Sequence, residues 1–220
     1  MALCHPGQRS RIQVETLNSA TCGDLQFHRK TMKVLALQGS PRKKGSTSKI
    51  LGWVQEELES LNHEVTTSFL QSKTIKGCMA CGKCKDFPDE IGCIQKDDAP
   101  ELLQAMIVSD LVIFASPLYF WGVTAQIKAL IDRTFSLYID YKQPTHKSLI
   151  ENKKHAFLIT GGSGYDDNAE STFTSLGRLQ KPHKTVHAGE LFIGGCKNPD
   201  DVGEDVKQQA VEFARKIAAT

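Results

Sequence analysis

The 220-residue sequence contains no apolar stretch long enough to span a bilayer, and its first residues lack the apolar core of a signal peptide. Membrane insertion and export are therefore not expected, and the chain is expected in the cytoplasm. A strong charge of either sign is also missing: 27 lysines and arginines face 25 aspartates and glutamates, a formal net charge of +2. With no basic stripe, nucleic acid is not an expected partner. There is no G-x-x-x-x-G-K-[ST] loop, no G-x-G-x-x-G fingerprint and no Ser–His–Asp arrangement, so the commonest phosphate-transfer, dinucleotide and hydrolase signatures are all absent. Internal repeats and low-complexity tracts are absent as well. Cysteine is sparse over most of the chain, since only Cys4, Cys22 and Cys196 lie outside one short loop. A total of seven is odd, which argues against a secreted disulfide framework.

What is present is a regular alternation. Residues 1–31 have neither period and read as a loosely ordered extension, or as an upstream start ahead of Met32. Cys4 and Cys22 within it read as incidental thiols. Residues 32–220 read as one domain. KVLALQ (33–38) is a short apolar run of the buried parallel-strand kind. Ile50, Val54, Leu58 and Leu61 follow at helical spacing. Further strands are expected at 63–70, 110–116, 155–162 and 185–195. Helices are expected at 99–108, from Thr124 to about Tyr138, at about 168–180, and around Val206–Ile217. Five strands alternating with helices predict an open, doubly wound parallel α/β sheet.

Ligands of such sheets sit outside the carboxyl ends of the strands, so the loops there carry the functional reading. The first is GSPRKKGSTS (39–48). Its two glycines allow tight turns, Ser40, Ser46, Thr47 and Ser48 offer hydroxyls, Arg42 offers a guanidinium fork, and a helix N-terminus follows. A hydroxyl-rich loop without a P-loop lysine suits a phosphate monoester that is gripped and not transferred, such as that of FMN. An ordinary capped helix after a glycine turn would look the same. The second is SPLYFWGV (116–123). Pro117, Leu118, Tyr119, Phe120, Trp121 and Gly122 cannot all face a core, and they suit a flat heterocycle, or else a lid or subunit contact. The third is TGGSGYDD (160–167), where Thr160, Gly161 and Gly162 bring backbone close to a ligand and Tyr165 can cover it.

These three motifs, with QIKALIDR (126–133), resemble the flavodoxin-like NAD(P)H-dependent FMN reductase superfamily over roughly residues 32–220. The resemblance implies a five-stranded sheet of order 2-1-3-4-5, FMN at the three loops, and flavin-mediated redox chemistry without a separate catalytic side chain. Asp132 and Arg133 read as an ion pair or cap, and His183 and His187, at the start of a strand, as structural residues.

The remaining motif is the cysteine-rich insertion after the second strand, GCMACGKCKDFPDEIGCIQKD (77–97). Cys78, Cys81, Cys84 and Cys93 have C-x2-C-x2-C-x8-C spacing, which suits a [4Fe–4S] cluster. Structural zinc, a redox dithiol and thiols without metal are the competing readings. The run resembles the iron–sulfur flavoprotein branch of the same superfamily, which has an aspartate pair like Asp97–Asp98 after it. The last gap, KDFPDEIG, is longer than that branch's usual spacing, and Pro88 and Gly92 give the loop a means to absorb it. The resemblance implies a homodimer or homotetramer, NAD(P)H or a ferredoxin as electron donor, and a small molecule or protein as acceptor. A cluster-free FMN or quinone reductase is the first alternative, and a non-enzymatic redox carrier or sensor the second.

Overall fold

The computed structural model describes residues 30–87 and 89–220. The expected loose extension, with Cys4 and Cys22, falls almost wholly outside the described residues, as does Pro88.

The elements run β1 (Lys33–Gln38), α1 (Ser46–Ser60), β2 (Glu64–Phe69), α2 (Ala99–Val108), β3 (Leu111–Pro117), α3 (Ala125–Arg133), β4 (Tyr138–Ile139), β5 (Lys147–Ser148), β6 (Lys154–Thr160), α4 (Glu170–His183), β7 (Val186–Ile193) and α5 (Glu204–Ala219). The main sheet has five strands in the order β2-β1-β3-β6-β7, all parallel. This is the doubly wound 2-1-3-4-5 arrangement, with the order reversing between β1 and β3. No described helix is long and apolar enough to cross a membrane.

Period-2 alternation sorts the strand residues into two cores. Val34 and Ala36 of β1, Ile113 of β3 and Leu158 of β6 pack beneath α1 and α5. Leu35 and Leu37, Phe114 and Phe157 pack on the other face, with residues of α2, α3 and α4. Each fully buried aliphatic or aromatic side chain contributes about 1.5–3 kcal/mol. Covering both faces explains why the strands read as continuous apolar runs. β2 is the exception. It lies at the sheet edge and alternates weakly, with only intermediate or exposed residues.

Three expectations are corrected. The helix expected to reach Tyr138 stops at Arg133, and a short 3-10 turn, Thr134–Leu137, replaces its last turn. Thr134 Oγ1 donates to the Ile131 carbonyl (2.7 Å) and Ser136 Oγ to that of Arg133 (2.9 Å). Hydroxyls placed this way compete with the helical pattern. Tyr138 instead opens the antiparallel β4–β5 ribbon, which the sequence reading did not include. α4 runs past the expected end and includes Pro182, leaving the helix only at Lys184, whose φ is 52°. A proline this late costs only one of the final-turn hydrogen bonds.

At the β1/β3 switch point the two strand ends are tied together. The amide of Gly39 donates to the Ala115 carbonyl (2.8 Å), and Thr124 Oγ1 donates to the Gly39 carbonyl (2.9 Å). A β-carbon on Gly39 would stand 2.3 Å from Cγ1 of Ile127, so only glycine fits beneath the start of α3. Gly39→Ala is therefore expected to destabilise the protein by at least the usual overpacking cost of about 1–3 kcal/mol, read as a lowered midpoint in urea unfolding.

Candidate functional site

The three strand-end loops meet at the carboxyl edge of the sheet. Thr47 Oγ1 at the start of α1 bonds Thr160 Oγ1 at the end of β6 (2.7 Å), and the amide of Leu118 donates to the Thr160 carbonyl (2.7 Å). The structure thus brings the 39–48, 117–122 and 160–162 segments together.

Within the first loop the hydroxyls differ in what they already do. Ser40 Oγ stabilises its own turn, bonding the carbonyl and amide of Arg42. Ser48 Oγ donates to the Arg42 carbonyl (2.9 Å) and accepts from Gln38 Nε2 (2.6 Å). Thr47 is engaged with Thr160. Ser46 Oγ is buried and has no partner among the described residues. It opens α1, whose N-cap is Gly45, and no side chain caps the helix. A helix N-terminus without a side-chain cap presents amide donors and the positive end of the macrodipole. Exposed Arg42 lies against Gly45 at this mouth, its Nε 3.4 Å from where a glycine β-carbon would be. Buried donors rarely go unsatisfied, and here amides, a hydroxyl and a guanidinium share one corner, which fits an anionic group.

The second loop is a tight turn. Tyr119 and Gly122 exchange both backbone hydrogen bonds, 2.9 and 3.1 Å, across Phe120 and Trp121, which have φ of 47° and 58°. Two consecutive bulky residues in the left-handed region are strained, at about 1–2 kcal/mol each. The turn is anchored by Thr172 Oγ1 and Ser171 Oγ of α4, both donating to the Trp121 carbonyl. Tyr119, Phe120 and Trp121 are 48%, 94% and 61% exposed, which rules out a core role. A groove of about 300 Å3 runs from this turn along α3 and α4. In the third loop, the Gly161 amide donates to the Ile193 carbonyl, and a β-carbon there would crowd the Phe192 ring at 3.1 Å. Tyr165 packs on Phe173 and Phe192.

The cysteine segment lies between β2 and α2. Its two ends are gathered by one buried ion pair. Arg133 Nη1 and Nη2 grip Asp97 in a bidentate fork, 2.7 and 3.1 Å, with both side chains fully buried. Asp97 also accepts from the amides of Lys76 and Ala99, and Asp98 accepts from the amide of Thr74. Burial pushes the Asp97 carboxyl up, but the Arg133 fork and the two amides outweigh it and hold it below the usual carboxylate range. Asp132 pairs instead with Lys128 (2.6 Å), so the expected mutual pairing of Asp132 and Arg133 is not what forms. Lys85 pins the middle of the segment, donating to the carbonyls of Phe135 and Tyr138, both at 2.7 Å.

Cys78, Cys81, Cys84 and Cys93 are free thiols, and all four border one small cavity of about 20 Å3 together with Arg133. Burial pushes the Cys84 thiol up, Lys85 opposes this, and the three other thiols add to the rise. Among the described residues no group of three or more such ligands is assembled as a metal site. The donor set is all thiol, with the Ala80 amide donating to Cys78 Sγ (3.4 Å) and an arginine beside it, which fits a thiolate-bound centre in its chemistry. Arg133 was expected only as a helix pair or cap, yet it borders this cavity. The available signal was its spacing: it shares the buried face of Ile127 and Leu130, a position where a charge needs a partner. His183 is fully buried between Ser148 Oγ and Thr134 Oγ1 (2.9 and 3.0 Å), while His187 approaches Gln180, so the two do not converge.

Residues 32–193 match the family described as NADPH-dependent FMN reductase. The chain belongs to that family. It is accordingly a flavin oxidoreductase. Within the family its relatives include an iron–sulfur flavoprotein of Archaeoglobus fulgidus, 33% identical over 188 residues that cover 85% of this chain and 79% of the relative. An iron–sulfur flavoprotein of Methanosarcina thermophila is 31% identical, covering 84% of this chain and 93% of its own. Among solved structures, an azoreductase from Bacillus anthracis str. Sterne shares the fold with a TM-score of 0.65 at 19% identity, covering 86% of this chain and 99% of that one.

Proposed function

We propose that the chain is an FMN-dependent oxidoreductase in which a [4Fe–4S] cluster on Cys78, Cys81, Cys84 and Cys93 exchanges single electrons with the flavin. The observation that carries the flavin site is the buried, partnerless hydroxyl of Ser46 at the uncapped start of α1, where three loops converge. In this reading the Ser46 hydroxyl, the first amides of α1 and Arg42 hold the phosphate. Ser40 and Ser48 keep the loop in shape through bonds within it, and Thr47 ties it to Thr160. Pro117 to Gly122 would flank the ring system, with the aromatic turn excluding water. Thr160, Gly161, Gly162 and Tyr165 would complete the loops that hold it. FMN supplies two-electron and one-electron chemistry, and the protein supplies orientation and a shielded face. The family description supports a nicotinamide donor, which would stack on the flavin. A ferredoxin is the alternative donor, and a quinone or another small molecule is the acceptor. Assembly as a homodimer or homotetramer and a reducing, cytoplasmic location complete the proposal.

The cluster is supported by the four thiols around one cavity and by the similarity to iron–sulfur flavoproteins. Protein purified without oxygen is expected to show flavin bands with broad iron–sulfur absorption and about four iron atoms per chain. Cys81→Ala is expected to lower iron content while flavin stays. Flavin without iron would support the cluster-free reductase, and unchanged iron in Cys81→Ala would remove that thiol from the ligand set.

A further inference from the structure

The thiol cavity has one wall that the cysteines do not explain. Arg133 lines it with a fully buried side chain. Nη1 donates to Asp97 and to the Lys76 carbonyl and Nη2 donates to Asp97, which uses three of the five guanidinium N–H donors. Its Nε is buried and has no hydrogen-bond partner among the described residues. The guanidinium shares the cavity wall with the Cys93 thiol, which helps to hold its charge against the cost of burial. A buried guanidinium with an unused donor is costly, because the group gives up water without replacing it. The fork on Asp97 fixes the plane of the guanidinium and so fixes where the Nε donor points. Holding the loop would need only the terminal nitrogens.

We infer that Arg133 is a positioning and tuning residue for the thiolate centre, its Nε–H reserved for the sulfur of Cys93. This rests on the cluster reading above. Hydrogen bonds to cluster sulfurs and net charge near the cluster set its reduction potential. Reduction adds one electron and one negative charge to the centre, so a fixed buried cation and a donor beside one sulfur favour the reduced form. Asp97, charged and paired, keeps the guanidinium in place and offsets part of its field. Lysine at this position would keep the charge and lose the planar donor.

The test uses anaerobically purified holoprotein, with iron counted per chain and the midpoint potential read by an optical or paramagnetic-resonance redox titration. Arg133→Gln alone leaves a buried carboxylate unpaired and is a poor probe. The comparison is therefore between the native protein and the double variant Asp97→Asn/Arg133→Gln, which loses both charges of the pair together and so leaves no buried lone charge, with Asp97→Asn as the control for loss of the carboxylate alone. The double variant is expected to keep its iron and to have a lower potential, by about tenfold in the one-electron reduction equilibrium, which is about 59 mV. Arg133→Lys in the otherwise native chain is expected to fall part of the way. Iron present with equal potentials in all four proteins would overturn the inference and leave the cluster reading intact. A native protein without iron would overturn both.

Discussion

Replacing Asp97 with alanine is expected to cost about 3–5 kcal/mol of stability, because it leaves the Arg133 guanidinium buried and uncompensated. For a domain of this size that corresponds to a fall in Tm of about 6–20 °C, measured by calorimetry. The cost should be much larger than for Asp132→Ala, whose partner Lys128 is more than half exposed, where such pairs contribute about 0–1 kcal/mol. Replacing both Asp97 and Arg133 with well-packed apolar residues should recover much of the loss, since the penalty lies in the orphaned charge and not in the absence of a salt bridge. The pair also gives a pH signature. The Asp97 carboxyl titrates lower in the folded protein than in the unfolded chain, held there by Arg133 and two amides against the cost of burial. Its contribution is fully present above the ordinary carboxylate range near about pH 4 and is lost as pH falls through the lower folded value. Asp97→Asn should lack that part of the acid limb. A small, pH-independent effect for Asp97→Ala would mean that the two ends of the cysteine segment are held by something else.

Ser46→Ala is expected to weaken FMN binding by about 10- to 100-fold, the loss of one charge-assisted hydrogen bond at about 1.5–3 kcal/mol. The same substitution should leave the stability of the flavin-free protein unchanged or raise it, because the hydroxyl is buried without a partner among the described residues. That opposite sign separates a ligand contact from a structural one. Thr47→Val, by contrast, breaks the bond to Thr160 that joins two of the loops and should lower both stability and affinity. Adding Arg42→Ala to Ser46→Ala should weaken binding further while leaving the fold intact, since Arg42 is exposed. If Ser46→Ala bound FMN as tightly as the native protein, the phosphate would have to be held elsewhere.

The legibility of these features in the sequence followed their physics. β1, β3 and β6 were readable because a strand covered on both faces must be apolar throughout, and α2 because its apolar residues recur on one face between clear breaks. The 39–48 loop stands out in the sequence for a similar local reason: glycines and hydroxyls at a strand end restrict what the backbone there can do. What the sequence hid was long-range or conditional. Nothing local distinguishes Ser46 from Ser48, and only the fold shows that Ser48 is bonded within its own loop while Ser46 is not. The end of α3 was misplaced because Thr134 and Ser136 bond back onto helix carbonyls, a choice that pattern and propensity do not reveal. The partner of Arg133 lies 36 residues away at Asp97, so the adjacent Asp132 was the natural but mistaken choice. Likewise β4 and β5 are two residues each, too short to leave a period.

The most direct test of the central claim is an equilibrium titration of the flavin-stripped protein with FMN and, separately, with riboflavin, followed by flavin fluorescence. One FMN per chain should bind, and riboflavin, which lacks only the phosphate, should bind at least about 100-fold more weakly, because the charge-assisted contacts at Ser46 and the start of α1 are lost. Equal affinity for the two flavins, or no uptake of FMN, would contradict the account.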